Sequence, residues 1–233
     1  MSKILIDGDI IAYRAGFSTD DLKAYDAESK VDKLIDRVLE DTEFLSTDYH
    51  LYLTGKGNFR FDIANTVEYK GNRKHAIKPI HLKHIREYII KKYEATVSEG
   101  EEADDLIAIE ATKVGMTAVV ASIDKDMLQL PCYHYNITRR ELSAVGEFTG
   151  LKYFYSQILT GDKSDNIKGL HRCGPIKANK ILDECYTEMK LWVACVEAYE
   201  GDTARVIENA RLLWLRREED QLWEPPSDQD KIS

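Results

Sequence analysis

Lys3-Ile4-Leu5-Ile6-Asp7 and Ala118-Val119-Val120-Ala121-Ser122-Ile123-Asp124 are short apolar runs that each end on an aspartate. Runs of this length read as strands covered on both faces, the kind a parallel sheet requires. An acid at the end of each strand puts both carboxylates at the carboxyl edge of an open α/β sheet, where such sheets keep their active sites. Tyr49-His50-Leu51-Tyr52-Leu53 reads as a further strand, ending at the turn Thr54-Gly55-Lys56-Gly57. Between the first strand and this one, Val31, Leu34, Ile35, Val38 and Leu39 keep the 3.6-residue period of an amphipathic helix. Strand, helix, strand implies a parallel crossover. A helix from about Pro79 carries Leu82, Ile85 and Ile89 on one face; another is expected from about Glu101 to Val114, and a strand over Tyr133–Ile137. From Gly150 onward the pattern turns helical. The expected division is an α/β domain over 1–149 and a helical module with its tail over 150–233.

The chain has 233 residues, 43% of them apolar, enough for one good-sized core or a core with an appended module. Its formal charge of −9 argues at first against a polyanion partner. The local distribution reverses that inference, because Tyr69 to Lys92 holds eight Lys and Arg against the single acid Glu87, a net +7. Cys132, Cys173, Cys185 and Cys195 show neither Cys-x-x-Cys spacing nor a paired His, so reduced thiols are expected and neither a zinc site nor a disulfide framework. Met1-Ser2-Lys3 leads straight into a strand and no apolar run approaches the ~20 residues of a membrane span. A cytoplasmic protein without membrane contact is therefore expected.

The acids are clustered: Asp7 and Asp9, Glu102-Ala103-Asp104-Asp105, Asp124-Lys125-Asp126, and Gly161-Asp162-Lys163-Ser164-Asp165-Asn166. On a helix Glu102 and Asp105 share a face with Asp104 beside it. Taken alone, these acids read as ordinary helix N-terminal acids favoured by the dipole, and Asp124 with Asp126 as a surface turn. Taken together, carboxylates that converge repel one another unless cations neutralise them. Oxygen ligands without His or Cys suit two Mg²⁺ or Mn²⁺ ions. Asp9 reads equally as a helper in that cluster or as a turn acid.

Four stretches carry a resemblance: Ile6-Asp7-Gly8-Asp9; Glu68-Tyr69-Lys70-Gly71-Asn72-Arg73; Glu102-Ala103-Asp104-Asp105 with Asp124-Lys125-Asp126; and Gly161-Asp162 through Gly174. In this order the chain resembles, over roughly residues 3 to 185, the flap endonuclease and 5′-3′ exonuclease family, including phage 5′ nucleases and the 5′ nuclease domain of bacterial DNA polymerase I. The resemblance implies a PIN-like α/β sheet followed by a helix-hairpin-helix, and a structure-specific 5′ nuclease acting on DNA with a free or branched 5′ end. It implies that Asp7, Glu102 and Asp104 hold a first metal, that Asp124, Asp126, Asp162 and Asp165 surround a second, and that Asp105 lies between them. Lys70 and Arg73 would contact the scissile phosphate as catalytic groups, and Tyr69 would stack on a base. DNA contacts would extend to Lys74 and Lys83 in the gateway and to Lys168, Gly169, Arg172, Gly174 and Lys177 in the hairpin, where a monovalent cation is also implied. One implied ligand is missing: the family's Asp ahead of Phe59-Arg60 is here Gly55, so that Gly55→Asp is expected to ease the metal requirement. Two other functions use the same residues, a ribonuclease removing RNA primers from RNA–DNA hybrids and a catalytically weakened branched-DNA binder.

Overall fold

The computed structural model describes residues 2–73 and 76–227. Its first part runs β1 (Ile4–Asp7), α1 (Gly8–Phe17), α2 (Ala24–Thr42), β2 (Tyr49–Lys56), α3 (Arg60–Ile63), a 3₁₀ turn (Gly71–Arg73), α4 (Leu82–Tyr93), β3 (Thr96–Glu99), α5 (Ala103–Val114), a second such turn (Gly115–Thr117), β4 (Val119–Ser122), a third (Lys125–Gln129), β5 (Tyr133–Asn136) and β6 (Glu141–Ala144). There follow α6 (Glu147–Thr160), the two-stranded ladder of β7 (Gly161–Asp162) and β8 (Ile167–Lys168), α7 (Pro175–Leu182), α8 (Glu188–Ala198) and α9 (Thr203–Leu213).

The main sheet has the order β3-β2-β1-β4-β5-β6, parallel except for the β5–β6 pair. The chain works outward from β1 to β2 and β3, then returns to the other side of β1 to lay down β4 and β5. The order therefore reverses between β1 and β4, which opens a crevice at their carboxyl ends. Side chains alternate across the sheet as a pleated strand dictates. Ile4, Ile6, Val119 and Ala121 pack toward α1, α2 and α4, and Leu5 and Val120 toward α5. That two-sided burial is why the strands read as unbroken apolar runs. A separate core under α6–α9 gathers Phe154, Tyr155, Ile158, Leu182, Leu191, Val206 and Trp223. The expected boundary between residues 149 and 150 falls inside the first turn of α6.

One local expectation changes, and three elements appear that carried no sequence signal. The turn expected over Thr54–Gly57 is strand as far as Lys56, with a register shift against β3 between Leu53 and Lys56, and Gly57 takes the left-handed backbone at φ +77°. A turn was expected from the glycine at 55, but that residue serves close strand packing. Helix α1 follows β1 directly, with Gly8 and Gly16 among its buried residues, so its sequence carries no helical stripe. Strand β3 at the sheet edge and the fully exposed β6 lack the apolar run that marks the central strands. All four cysteines are free and buried. Among the described residues no helix is long and apolar enough to cross a membrane.

Candidate active site

A cavity of about 610 Å³ opens at the carboxyl ends of β1, β2 and β4, lined by Asp7, Asp9, Glu102, Asp104, Asp124, Asp126 and Asp165 together with Lys70, Arg73, Lys78 and Arg86. Several acids reach it because they start helices there. Asp7 ends β1 and caps α1, its Oδ1 accepting from Ile10 N at 3.0 Å and its Oδ2 from Ser122 Oγ of β4 at 2.7 Å. Glu102 is the N-cap of α5, and Asp124 caps the turn after β4 by accepting from Asp126 N at 2.9 Å. A carboxylate at a helix start is favoured by the dipole, so the same positions serve fold and site.

The electrostatics are those of crowded acids. Burial, with the charges of Asp9 and Asp124 adding to it, pushes the Asp7 carboxyl up to about 7. Burial and then Asp124 and Asp162 push Asp126 up to about 7. Asp104 is held well above the carboxylate range by burial and by Asp7, Asp124 and Glu102. Asp165 is raised by burial against the pull of Lys70 and Arg73. Mutual repulsion away from water is relieved by protons, by basic side chains or by a cation. An all-oxygen donor group of this kind fits a hard divalent ion. Among the described residues, however, no three His, Cys, Asp or Glu side chains stand close enough to hold an ion as they are. Several of the acids have instead turned to protein donors. Glu102 pairs with Lys70 and accepts from Tyr69 Oη at 3.0 Å; Asp165 accepts from Arg73 at 2.6 Å; Asp126 accepts from Gln157 Nε2 at 2.6 Å.

Several expected residues stand elsewhere. Asp105 does not face the cavity. It is fully buried and accepts from both terminal guanidinium nitrogens of Arg60, at 2.6 and 2.8 Å, and although burial pushes its carboxyl upward, Arg60 holds it below the usual range. The i, i+3 argument fails because Asp105 turns back to the N-terminus of its own helix, accepting from Glu102 N at 3.2 Å. Asp162 is buried behind Lys125, which donates to it at 2.6 Å, and its other oxygen receives Ser164 N and Asp165 N at 2.6 and 3.1 Å. Tyr69 does line the cavity, through the hydroxyl that donates to Asp165 at 2.8 Å, but it is 2% exposed with its ring packed against Phe61, so it offers no open face for a base. Lys83 lies on the exposed face of α4, 3.8 Å from Glu87. Lys74 lies outside the described residues.

Gly55 overturns the idea of a missing ligand that an Asp could restore. A Cβ there would stand 1.9 Å from the Ser98 carbonyl oxygen and 2.9 Å from Val97 Cγ1 of β3, so the strand pairing itself requires glycine. Asp9 sits inside the cavity with its Oδ2 accepting from Thr54 N at 2.8 Å and its Oδ1 paired with Arg86.

The expected hairpin residues lie apart from the cavity, from the end of β8 to the first turn of α7. Gly169 is where the backbone demands glycine, since a Cβ would meet Thr160 C at 2.3 Å and Gly161 N at 2.4 Å. Gly174 is the N-cap of α7, followed by Pro175, and a Cβ there meets nothing within 4 Å. Lys168, Arg172 and Lys177 flank this turn, Lys168 and Lys177 being exposed, and Arg172 has φ +53°. Sequence reading missed Arg60, Arg86, Lys125 and Gln157. Arg60 had a signal in the Phe59-Arg60 landmark, Arg86 in the basic stretch and Lys125 in the Asp124-Lys125-Asp126 motif, but none of these places names the acid that each meets; Gln157 had no signal.

Residues 2–159 match the family model described as 5′-3′ exonuclease, N-terminal resolvase-like domain. DNA polymerase I of Bacillus subtilis (strain 168) is 32% identical over 215 residues, 81% of this chain and 24% of that protein. The 5′-3′ exonuclease of Mycoplasma genitalium is 27% identical over 208 residues, 78% of this chain and 71% of that one. The chain thus spans about a quarter of the length of the DNA polymerase I relatives it matches. Among solved structures, phage T5 5′-exonuclease with bound zinc ions superposes with a TM-score of 0.73 at 18% identity, over 91% of this chain and 89% of that one. The T5 flap endonuclease in complex with DNA and metal ions gives 0.67 over the same shares, at 18% identity. At this identity the likeness shows the fold.

Proposed function

The chain belongs to the 5′-3′ exonuclease family through its N-terminal resolvase-like domain, and from that premise we propose that it is a structure-specific 5′ nuclease hydrolysing DNA phosphodiester bonds with divalent metal ions, as a 5′-3′ exonuclease and flap endonuclease. The observation that carries this reading is the convergence of Asp7, Asp104, Asp124 and Asp126 with Lys70 and Arg73 on one cavity at the point where the strand order reverses. Relatives named as 5′-3′ exonuclease and flap endonuclease, and fold neighbours solved with metal ions and with DNA, support it.

In this reading Asp7, Glu102 and Asp104 hold one Mg²⁺ or Mn²⁺, and Asp124, Asp126 and Asp165 the other. Such ions supply the charge that activates a water and stabilises the departing 3′ oxygen. Lys70 and Arg73, now paired with Glu102 and Asp165, exchange those acids for the non-bridging oxygens of the scissile phosphate, where their charge counts most as negative charge develops. Asp105 and Tyr69 support the acids from behind. Exposed N–H groups at the start of α7, with Lys168, Arg172 and Lys177 beside them, meet the duplex backbone without reading sequence.

The test is cleavage of a 5′-labelled flap and a nicked duplex by the full chain with Mg²⁺. Asp126→Asn is expected to lower the rate by ~100-fold or more while DNA affinity stays within about threefold, because a metal ligand is lost and the basic contacts remain. Wild-type rates in the variant would remove Asp126 from the site. Preference for an RNA over a DNA 5′ strand in the same assay would redirect the substrate class to RNA–DNA hybrids.

A further inference from the structure

The gateway segment before and within the first 3₁₀ turn and the turn between β7 and β8 come from opposite halves of the chain, and they are bound tightly to each other. Lys70 N donates to the Asp165 carbonyl at 2.8 Å, and Arg73 Nε to the Ser164 carbonyl at 2.9 Å. Two carboxamides close the joint from either side. Asn72 Nδ2 donates to the Lys163 carbonyl at 2.7 Å, and Asn166 Nδ2 to the Glu68 carbonyl at 2.8 Å. The turn is itself stiff, because Asp162 accepts the amides of residues 164 and 165 and β7 pairs with β8.

Both sides of the joint hold left-handed backbone, Lys70 at φ +53° and Asn166 at φ +60°. Asparagine visits that region readily, whereas for a lysine it is unfavourable and the surroundings must offset the strain. The conformation of Lys70 sends its ammonium to Glu102 while its own amide is held by the turn.

We propose that Asn72 and Asn166 are positioning residues, whose carboxamides clamp the gateway onto the 163–166 turn and so hold Lys70 and Arg73 over the cavity. The proposal rests on the nuclease reading above. The clamp also links the two parts of the molecule that meet DNA, since the clamped turn runs through β8 directly into the hairpin before α7.

The test is single-turnover cleavage at saturating DNA by the variant Asn72→Ala with Asn166→Gly, the glycine tolerating the left-handed backbone while removing the carboxamide. The rate per folded molecule is expected to fall about tenfold, the loss of two hydrogen bonds of ordinary strength, with DNA affinity within about twofold. Exchange of the Lys70 amide hydrogen is expected to quicken in parallel. Should the double variant melt early, Asn72→Ala alone is read in the same way, with an expected loss of about threefold. A purely structural role would lower Tm and leave both the rate per folded molecule and Lys70 exchange unchanged, and that result overturns the proposal. Wild-type protein that cleaves no 5′-ended DNA would sink the nuclease reading instead, and the clamp would then stand or fall on Lys70 exchange.

Discussion

Asp104 and Asp105 are neighbours in the chain, and the fold gives them opposite surroundings. Asp104 faces the cavity with its carboxyl held well above the usual range by burial and three like charges, whereas Asp105 is sealed against Arg60, whose remaining donors reach the carbonyls of Leu212 and Trp214 at 2.9 and 2.8 Å. Sequence spacing could place acids on one side of a helix, but it could not show that an arginine some forty-five positions earlier arrives at one of them. Removing one member of such a buried pair strands the other charge. Arg60→Ala is therefore expected to cost ~3–5 kcal/mol in urea unfolding, and a loss under ~1 kcal/mol would mean that the pair is dispensable. Gly55 makes the complementary point about a missing side chain. Gly55→Asp is expected to lower Tm and leave the Mg²⁺ dependence of the surviving activity no better than wild type, because its Cβ would enter the Ser98 carbonyl. A lowered Mg²⁺ requirement in a stable Gly55→Asp protein would show that β2 and β3 can part there.

At the scale of elements, legibility followed burial. Strands β1, β2 and β4 are covered on both sides and announced themselves as apolar runs, and α2 and α4 displayed their stripes. Helix α1 did not, since its packing depends on small residues: a Cβ on Gly16 would lie 2.4 Å from Pro79 Cβ. Edge strands β3 and β6 are exposed and carry little apolar signal. The glycines of the hairpin were visible in the sequence, but not which of them the backbone needs. Gly169→Ala is expected to destabilise the helical module, lowering Tm by at least ~3 °C. Gly174→Val is expected to fold normally and to weaken duplex binding by covering the N–H groups at the start of α7. Equal stability of the two variants would contradict the close approach of α6 and the β7–β8 ladder at Gly169. Unaltered DNA affinity in folded Gly174→Val would reduce that turn to a connector.

For the molecule as a whole, the acid clusters showed from sequence alone that far-apart segments meet, while their charge states depend on the assembled fold. Leu212, Leu213 and Leu215 close one side of the cavity, so the end of the helical module helps exclude water from acids carried by the sheet. That exclusion makes stability depend on pH. The carboxyls of Asp7 and Asp126 lie at about 7 in the fold, against an ordinary value near 4, so between those values the folded chain keeps protons that the unfolded chain has released. Stability from these groups is then greatest at low pH and is lost as pH rises from about 4 to about 7. Asp105 and Asp162, held low despite burial by Arg60 and by Lys125 respectively, add stability that is complete above about 4 and do not oppose the trend in that window. His50 and His134, pushed down by burial, run the other way and gain stability as pH rises toward 7, but Asp104 and Asp165, raised by burial, add to Asp7 and Asp126 and outnumber them. Metal-free protein is accordingly expected to melt at least ~3 °C lower at pH 7.5 than at pH 5.5. Millimolar Mg²⁺ or Mn²⁺ is expected to raise Tm more at pH 7.5, where the acids are charged, than at pH 5.5. The measurement is calorimetry at both pH values with and without the ion. A melting temperature that rises with pH in metal-free protein, or equal stabilisation by the ion at both values, would show that these carboxyls are not the crowded, cation-seeking group that the cavity describes.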